Sequence, residues 1–125
     1  MTTSKVPLMA IRQWEIWQAN WRHEDDGTCK PRTVLVLSPA SYNETHDHIW
    51  AIKISGEKHS VPLVFELNPL DPAFAGTGLT KTSYFYLQTA RKILQSEFLY
   101  QRGRLNPMSQ TFMRLLIENA TGRKW

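Results

Sequence analysis

Arg32, Lys53 and Ser55 are the side chains in this sequence whose types and placement best suit an anion. Arg32 stands at the mouth of an apolar run, Thr33-Val34-Leu35-Val36-Leu37, with Lys30-Pro31 before it and Ser38-Pro39 behind. A β-branched apolar run bounded by turn formers reads as a buried strand. The proline ahead of Arg32 fixes that guanidinium where a rigid sheet meets solvent. Lys53 and Ser55 share the exposed face of a later alternating segment. If the two strands lie close, a guanidinium, an ammonium and a hydroxyl converge. Such a cluster suits an anion whose charge grows in a transition state. Each residue also has a structural reading. Arg32 can solvate a strand end, Lys53 can be a face residue, and Ser55 can start a turn.

Other constellations carry less. His46-Asp47-His48 puts two imidazoles on one side of an extended segment, which is the start of a divalent-metal site. A third ligand is missing, since His23 and His59 are scattered, and a solvated polar loop is the favoured reading. The same scatter gives no two-imidazole acid–base pair. Cys29 sits beside Lys30 and Arg32, neighbours that favour a thiolate, yet no general base accompanies it, so a partly buried, inert thiol is expected. No phosphate-cradling glycine loop, nucleophile elbow or Cys-x-x-Cys occurs. Neither a metal nor a cofactor is expected.

The elements that must position these groups follow from periodicity. Gln13 to Trp21 reads as a strand with apolar groups on both faces: Trp14 and Ile16 on one, Trp17, Ala19 and Trp21 on the other. A strand covered on two sides belongs in a small barrel or at a subunit interface. His23 to Gly27 is a polar loop. His48 to Ser55 alternates, with Trp50, Ile52 and Ile54 opposite Ala51, Lys53 and Ser55. Val61 to Leu67 alternates again, with Val61, Leu63, Phe65 and Leu67 inward, and is expected to form a hairpin with the preceding strand. Asn68 to Gly78 holds Pro69, Pro72, Gly76 and Gly78 and reads as a loop. Ser83 to Leu87 is an aromatic-rich strand, while 89–101 fits either a short strand with a helical turn or a longer helix. Asn106-Pro107 supplies an N-cap and N1 proline for a terminal helix, whose Met108, Phe112, Leu115 and Leu116 make an apolar stripe. The sum is a mostly β protein with a C-terminal helix, a small barrel.

The 125 residues fit one domain, 1–125, with 1–9 as a loosely held arm. Composition, 42% hydrophobic and 21% charged, is that of a globular protein. A single cysteine excludes an intramolecular disulfide framework and fits a reducing compartment. No apolar run approaches the roughly 18 residues of a membrane span, and Met1 to Lys5 lacks a signal-peptide core, so a cytoplasmic location is expected. Fifteen Lys and Arg against 11 acidic residues give a net charge of +4, a balance that favours a polyanionic partner. The basic C-terminal half also holds Tyr84, Phe85, Tyr86, Phe98 and Tyr100. That mixture is compatible with a single-stranded nucleic-acid groove, although composition by itself favours a solvated basic face over core aromatics.

The order and spacing of short motifs narrow this. Trp14-Glu15-Ile16-Trp17, a loop ending at Gly27, then Arg32 six positions ahead of Ser38, with Tyr42-Asn43 beyond, resembles the MazF/PemK-like toxins of bacterial type II toxin–antitoxin systems. That family opens on a Gly-Asp-Ile-Trp-like strand and continues to Arg-Pro-hydrophobic-Val-Leu-Ser. Ser55 falls where the family's next strand ends in Thr or Ser. Gly78-Leu79 before Ser83-Tyr84 and Arg102-Gly103-Arg104-Leu105 before the helix are similar to the family's later motifs. The resemblance runs from about Gln13 to Gly122.

It implies an SH3-like barrel, a homodimer, and metal-independent, sequence-selective cleavage of single-stranded RNA, mRNA in particular. In that chemistry the ribose 2′-hydroxyl attacks the adjacent phosphorus, leaving a 2′,3′-cyclic phosphate. Arg32 and Ser55 then stand at the catalytic positions, and Lys30, Lys53, Lys58, Arg91 and Lys92 are the expected RNA contacts. An acidic antitoxin is the implied partner, complementary to a chain of charge +4. The chain departs from the pattern in three places. Thr33 replaces the usual proline, which precedes the arginine as Pro31; the first loop lacks Gly-x-Glu; and serine replaces threonine at position 55. Two other functions fit the same outline. One is a gyrase poison acting through Arg123-Lys124-Trp125, and the other is a catalytically inactive nucleic-acid- or partner-binding barrel.

Overall fold

The computed structural model describes residues 10–23 and 26–125. The expected N-terminal arm, together with Glu24 and Asp25 of the first loop, lies outside the described residues. Six strands follow in order: β1 (Glu15–Arg22), β2 (Cys29–Val36), β3 (His48–Ser55), β4 (Val64–Leu67), β5 (Ser83–Leu94) and β6 (Phe98–Arg104). A short helix α1 (Ala40–Asn43) joins β2 to β3, and α2 (Pro107–Thr121) closes the described chain. The strands form one antiparallel sheet in the order β4-β5-β3-β2-β1-β6. Its two edges, β4 and β6, are not hydrogen-bonded to each other, so the barrel is curled and open.

Two buried layers explain the doubly apolar first strand. Trp14 and Ile16 pack with Leu35, Ile52, Phe85 and the α2 residues Met113 and Ile117. Trp17, Ala19 and Trp21, on the other side of the same strand, pack with Val34, Val36, Ala51 and Ile93. Strand alternation thus feeds one core under the helix and a second on the opposite face of the strands.

Two sequence expectations are corrected. β4 pairs with β5 and not with β3, because the long β5 inserts between them. Leu63 turns the chain with φ +63°, which breaks the period-two pattern, so Val61 and Leu63 are exposed and only Leu67 of the four expected inward residues is buried. In α2 the buried stripe is Ser109, Met113 and Ile117, one residue round from the expected set, of which Met108, Phe112 and Leu115 are exposed and Leu116 is half-buried against the core. The helix boundaries follow their signals: Asn106 accepts from Met108 N at 2.9 Å, Pro107 opens the helix, and Gly122 ends it at φ +71°. The ambiguous segment 89–101 resolves as the rest of β5, a 3₁₀ turn at Gln95–Glu97 and most of β6.

Trp14 occupies the position of the glycine in the Gly-Asp-Ile-Trp-like pattern, and its φ is +70°. Its N–H donates to Val36 O at 2.8 Å and its carbonyl accepts from Leu105 N at 2.7 Å. The left-handed backbone is therefore retained with a tryptophan, whose ring fills the core at 3% exposure.

Ser38 and Asn43 are fold-holding residues. Ser38 Oγ donates to Asn43 Oδ1 at 2.6 Å and accepts from Trp50 N at 3.0 Å, while Asn43 Nδ2 donates to Ile11 O and Ser38 O at 2.9 and 3.0 Å. All of this is buried, which is where such a network ties α1 to the sheet.

Candidate active site

The β2–β3 ladder runs Thr33↔Ile54, Val34↔Lys53, Leu35↔Ile52 and Val36↔Ala51. One step outward, the same register puts Arg32 across from Ser55. Alternation places Arg32, Val34, Lys53 and Ser55 on one side of the sheet. Val34 is fully buried there, whereas Arg32, Lys53 and Ser55 are half-buried. Polar groups thus cap the end of an apolar layer, and that is how the fold holds them out of bulk water. Pro31 is tolerated in the strand because it lies beyond the first β3 pair, with only β1 beside it.

Each group is oriented. Arg32 Nη1 donates to Pro31 O at 2.8 Å. Ser55 Oγ accepts from Glu57 N at 3.0 Å, which leaves its O–H to donate outward. The Lys53 ammonium has its pKa held below the ordinary lysine value, first by burial and then by the charges of Arg32 and Arg91, against a smaller opposing effect of Glu57. Three cations on one surface, with one made easier to deprotonate, can stabilise a phosphate and hand over a proton.

Of the expected RNA contacts, Arg91 joins this face: β5 pairs Arg91 with Ala51. Its guanidinium lies 4.0 Å from the Trp21 ring centroid and Nη1 donates to Arg22 O at 2.7 Å. Arg91 also borders a groove of about 270 Å³ with Asn20, Trp21, Cys29, His48 and Glu97. Lys92, next in the extended strand, diverges from Arg91, with Nζ 5.7 Å from the Trp50 ring on the other side of β3. Lys30 is exposed opposite Trp21. Lys58 is exposed in a loop that Tyr86 ties down: its hydroxyl donates to Glu57 O and accepts from His59 N at 2.9 Å. The structure therefore gathers Arg32, Lys53, Ser55 and Arg91 and spreads Lys30, Lys58 and Lys92 around them.

Cys29 is exposed and not partly buried as expected, because β2 begins beyond its pairing with β3. His46 stacks on Tyr42 with centroids 3.7 Å apart, and its Nδ1 lies 2.9 Å from Tyr42 O. Among the described residues, no three His, Cys, Asp or Glu side chains converge. Nor is any described helix long and apolar enough to cross a membrane.

Sequence reasoning missed two cations near Ser55. Arg102 Nη1 donates to Thr33 Oγ1 at 2.9 Å and its Nη2 to Gly78 O at 3.0 Å, and Lys81 lies against Gly56. The signal was present in Arg102-Gly103 and in Thr33, but only the folded sheet joins them.

The arrangement is that of a small, curled, open β-barrel closed by a C-terminal helix, the fold found in solved structures of MazF toxins. No family model matches the sequence, and no curated protein matches it. An endoribonuclease in complex with its cognate antitoxin, from a mycobacterial species, superposes with TM-score 0.68 over 93% of this chain and 99% of that one, at 15% identity. Mycobacterium tuberculosis toxin MazF-mt6 gives TM-score 0.66 over 89% and 99%, at 17% identity. The MazE–MazF structure from Deinococcus radiodurans gives 0.67 over 93% and 100%, at 19% identity.

Proposed function

We propose that this chain is a toxin-type endoribonuclease that cleaves single-stranded RNA without a metal. The observation that carries the proposal is the placement of Arg32 opposite Ser55, with Lys53 beside them, at the end of the buried layer of a MazF-like fold. The ribose 2′-oxygen attacks phosphorus and gives its proton to solvent water, and the P–O5′ bond breaks as the 5′-oxygen takes up a proton from the protein. A 2′,3′-cyclic phosphate and a 5′-hydroxyl result. Charge builds on the non-bridging oxygens as the nucleophile arrives. Arg32 meets that charge with a fixed cation; a guanidinium stays protonated in proteins, so it serves as a charge and not as a base. Ser55 donates its O–H to a non-bridging oxygen. Lys53, with its lowered pKa, is the cation best able to give the leaving 5′-oxygen its proton.

Lys30, Lys58, Arg91 and Lys92 hold the strand's phosphates on either side of the cut and position it, while the selectivity of cleavage rests on contacts to the bases. An acidic antitoxin fits the same surface, and a homodimer accompanies this reading of the family. Support for the antitoxin comes from the mycobacterial neighbour solved with its cognate partner. The test is cleavage of a mixed RNA pool by purified protein in EDTA. Wild type yields cyclic-phosphate ends, while Arg32→Ala loses at least about a hundredfold in rate, the scale of a removed transition-state donor. Cleavage that survives in Arg32→Ala removes the site assignment.

A further inference from the structure

A second polar pocket, of about 160 Å³, opens beside Ser55 and is lined by Thr33, Ser55, Thr80, Lys81, Ser83 and Arg102. It contains two cations and four hydroxyls, and no carboxylate lines it. Its parts are held in place. Arg102 is fixed by Thr33 Oγ1 and by Gly78 O at 2.9 and 3.0 Å, and Thr33 in turn donates to Gln18 Oε1 at 3.1 Å. Gly78 has φ +74°, and a Cβ there would come within 2.0 Å of Arg102 O, so glycine is what lets that backbone approach. Lys81 crosses Gly56, where a Cβ would meet its Cε at 2.3 Å. Ser83 Oγ donates to Lys81 O at 2.8 Å.

We infer that this pocket binds a phosphate of the RNA strand flanking the one that is cut. The inference rests on the endoribonuclease reading and adds to it a binding site with its own residues. The fixed Arg102 guanidinium, the Lys81 ammonium and the Thr80 hydroxyl form a donor set for phosphate oxygens, which accept and never donate when ionised. Ser55 is the wall common to this pocket and to the Arg32–Lys53 cluster. Thr33 and Ile54 of the pocket alternate to the side of the sheet opposite Arg32 and Lys53. A strand whose reacting phosphate lies on Arg32 and Ser55 therefore passes round the end of β2 and β3 to bring a flanking phosphate to Lys81 and Arg102. Thr33, where the family pattern has proline, is the residue that aims Arg102. Phosphate contacts of this kind position a strand and set its register, and they do not read its bases.

The experiment uses an RNA whose cut position has been mapped with wild type, made uncleavable by a 2′-deoxy sugar at that nucleotide. Each phosphate flanking the cut is replaced in turn by a neutral methylphosphonate, and affinity is read by fluorescence anisotropy for wild type, Lys81→Gln, Arg102→Lys and the charge control Lys124→Gln. One flanking replacement weakens wild-type binding by about tenfold, the scale of one charge-assisted contact. Lys81→Gln weakens the unmodified strand similarly, and combining it with that replacement costs no more than either alone. With cleavable RNA, Lys81→Gln raises KM and leaves kcat near wild type. Lys124→Gln keeps the full effect of the replacement. The pocket inference is overturned if the two losses multiply in full, or if Lys81→Gln and Arg102→Lys both leave affinity unchanged. A wild-type protein that binds the strand but cuts no RNA overturns the endoribonuclease reading instead.

Discussion

At the scale of single residues, Lys53 gives up stability to hold a half-buried charge, whereas Trp14 sets a backbone cost against a larger gain from burial. The Lys53 pKa is lowered from 10.5 in the folded chain, by burial first, so between that lowered value and 10.5 the unfolded chain holds more protons than the folded one. Stability therefore rises with pH through this window. Lys53→Met is expected to be more stable than wild type near neutral pH, and the gap should close as pH climbs towards 10, as urea titrations at a series of pH values will show. A gap independent of pH refutes the electrostatic account. The same variant should bind RNA more weakly, which marks the ammonium as functional. For Trp14 the backbone and the side chain disagree. Glycine removes the left-handed penalty of about 1–2 kcal/mol, but the buried ring it deletes is worth about 3–5 kcal/mol. Trp14→Gly is thus expected to destabilise by about 1–4 kcal/mol, measurable by denaturant unfolding, despite restoring the residue of the motif.

At the scale of elements, α2 separates what was legible in the sequence from what was not. Its ends were legible, because Asn106, Pro107 and Gly122 act through local backbone chemistry. Its buried face was not, since Met108, Phe112 and Leu115 outrank Ser109 in hydrophobicity while the sheet geometry selects Ser109, Met113 and Ile117. Met113→Ala is expected to cost about 2–5 kcal/mol, and Met108→Ala or Leu115→Ala about 0.5 kcal/mol or less; equal costs at the three positions would contradict the observed helix rotation. The strands divide in the same way. The bounds of β3 were readable because its alternation is local, but the face expected to be exposed is buried at Ile49 and Ala51 by a second core layer. The partner of β4 was not readable, since pairing with β5 depends on a chain segment beyond the Asn68–Gly78 loop. For the proposed site, Arg32 and Ser55 could be singled out in the sequence because motif spacing fixes each near its strand end. Lys81 and Arg102 were hidden because four separate segments meet around Ser55.

At the scale of the whole molecule, the two sides of β3 keep stability and proposed chemistry apart. Ala51, Lys53 and Ser55 face the cationic site, whereas Trp50 faces the other way and receives the C-terminal residues. Trp125 meets Trp50 edge-on with centroids 5.5 Å apart, and the Arg123 guanidinium lies 4.6 Å from the Trp50 centroid. Trp125 N donates to Glu118 Oε2 at 3.0 Å, and Arg114 Nη1 donates to Trp125 O. Arg123 and Trp125, the residues a gyrase-directed toxin would present, are here engaged by the barrel and by α2. Removing residues 123–125 deletes an aromatic pair and a cation–π contact, each worth about 0.5–1.5 kcal/mol, so the truncated chain should unfold at a lower temperature. Its RNA cleavage below that temperature should match wild type, because none of these contacts reaches Arg32, Lys53 or Ser55. Growth arrest on expression should persist as well, provided the truncated protein is folded at the culture temperature. Arrest that vanishes while RNA cleavage is intact would transfer the toxicity from the cationic site to the tail.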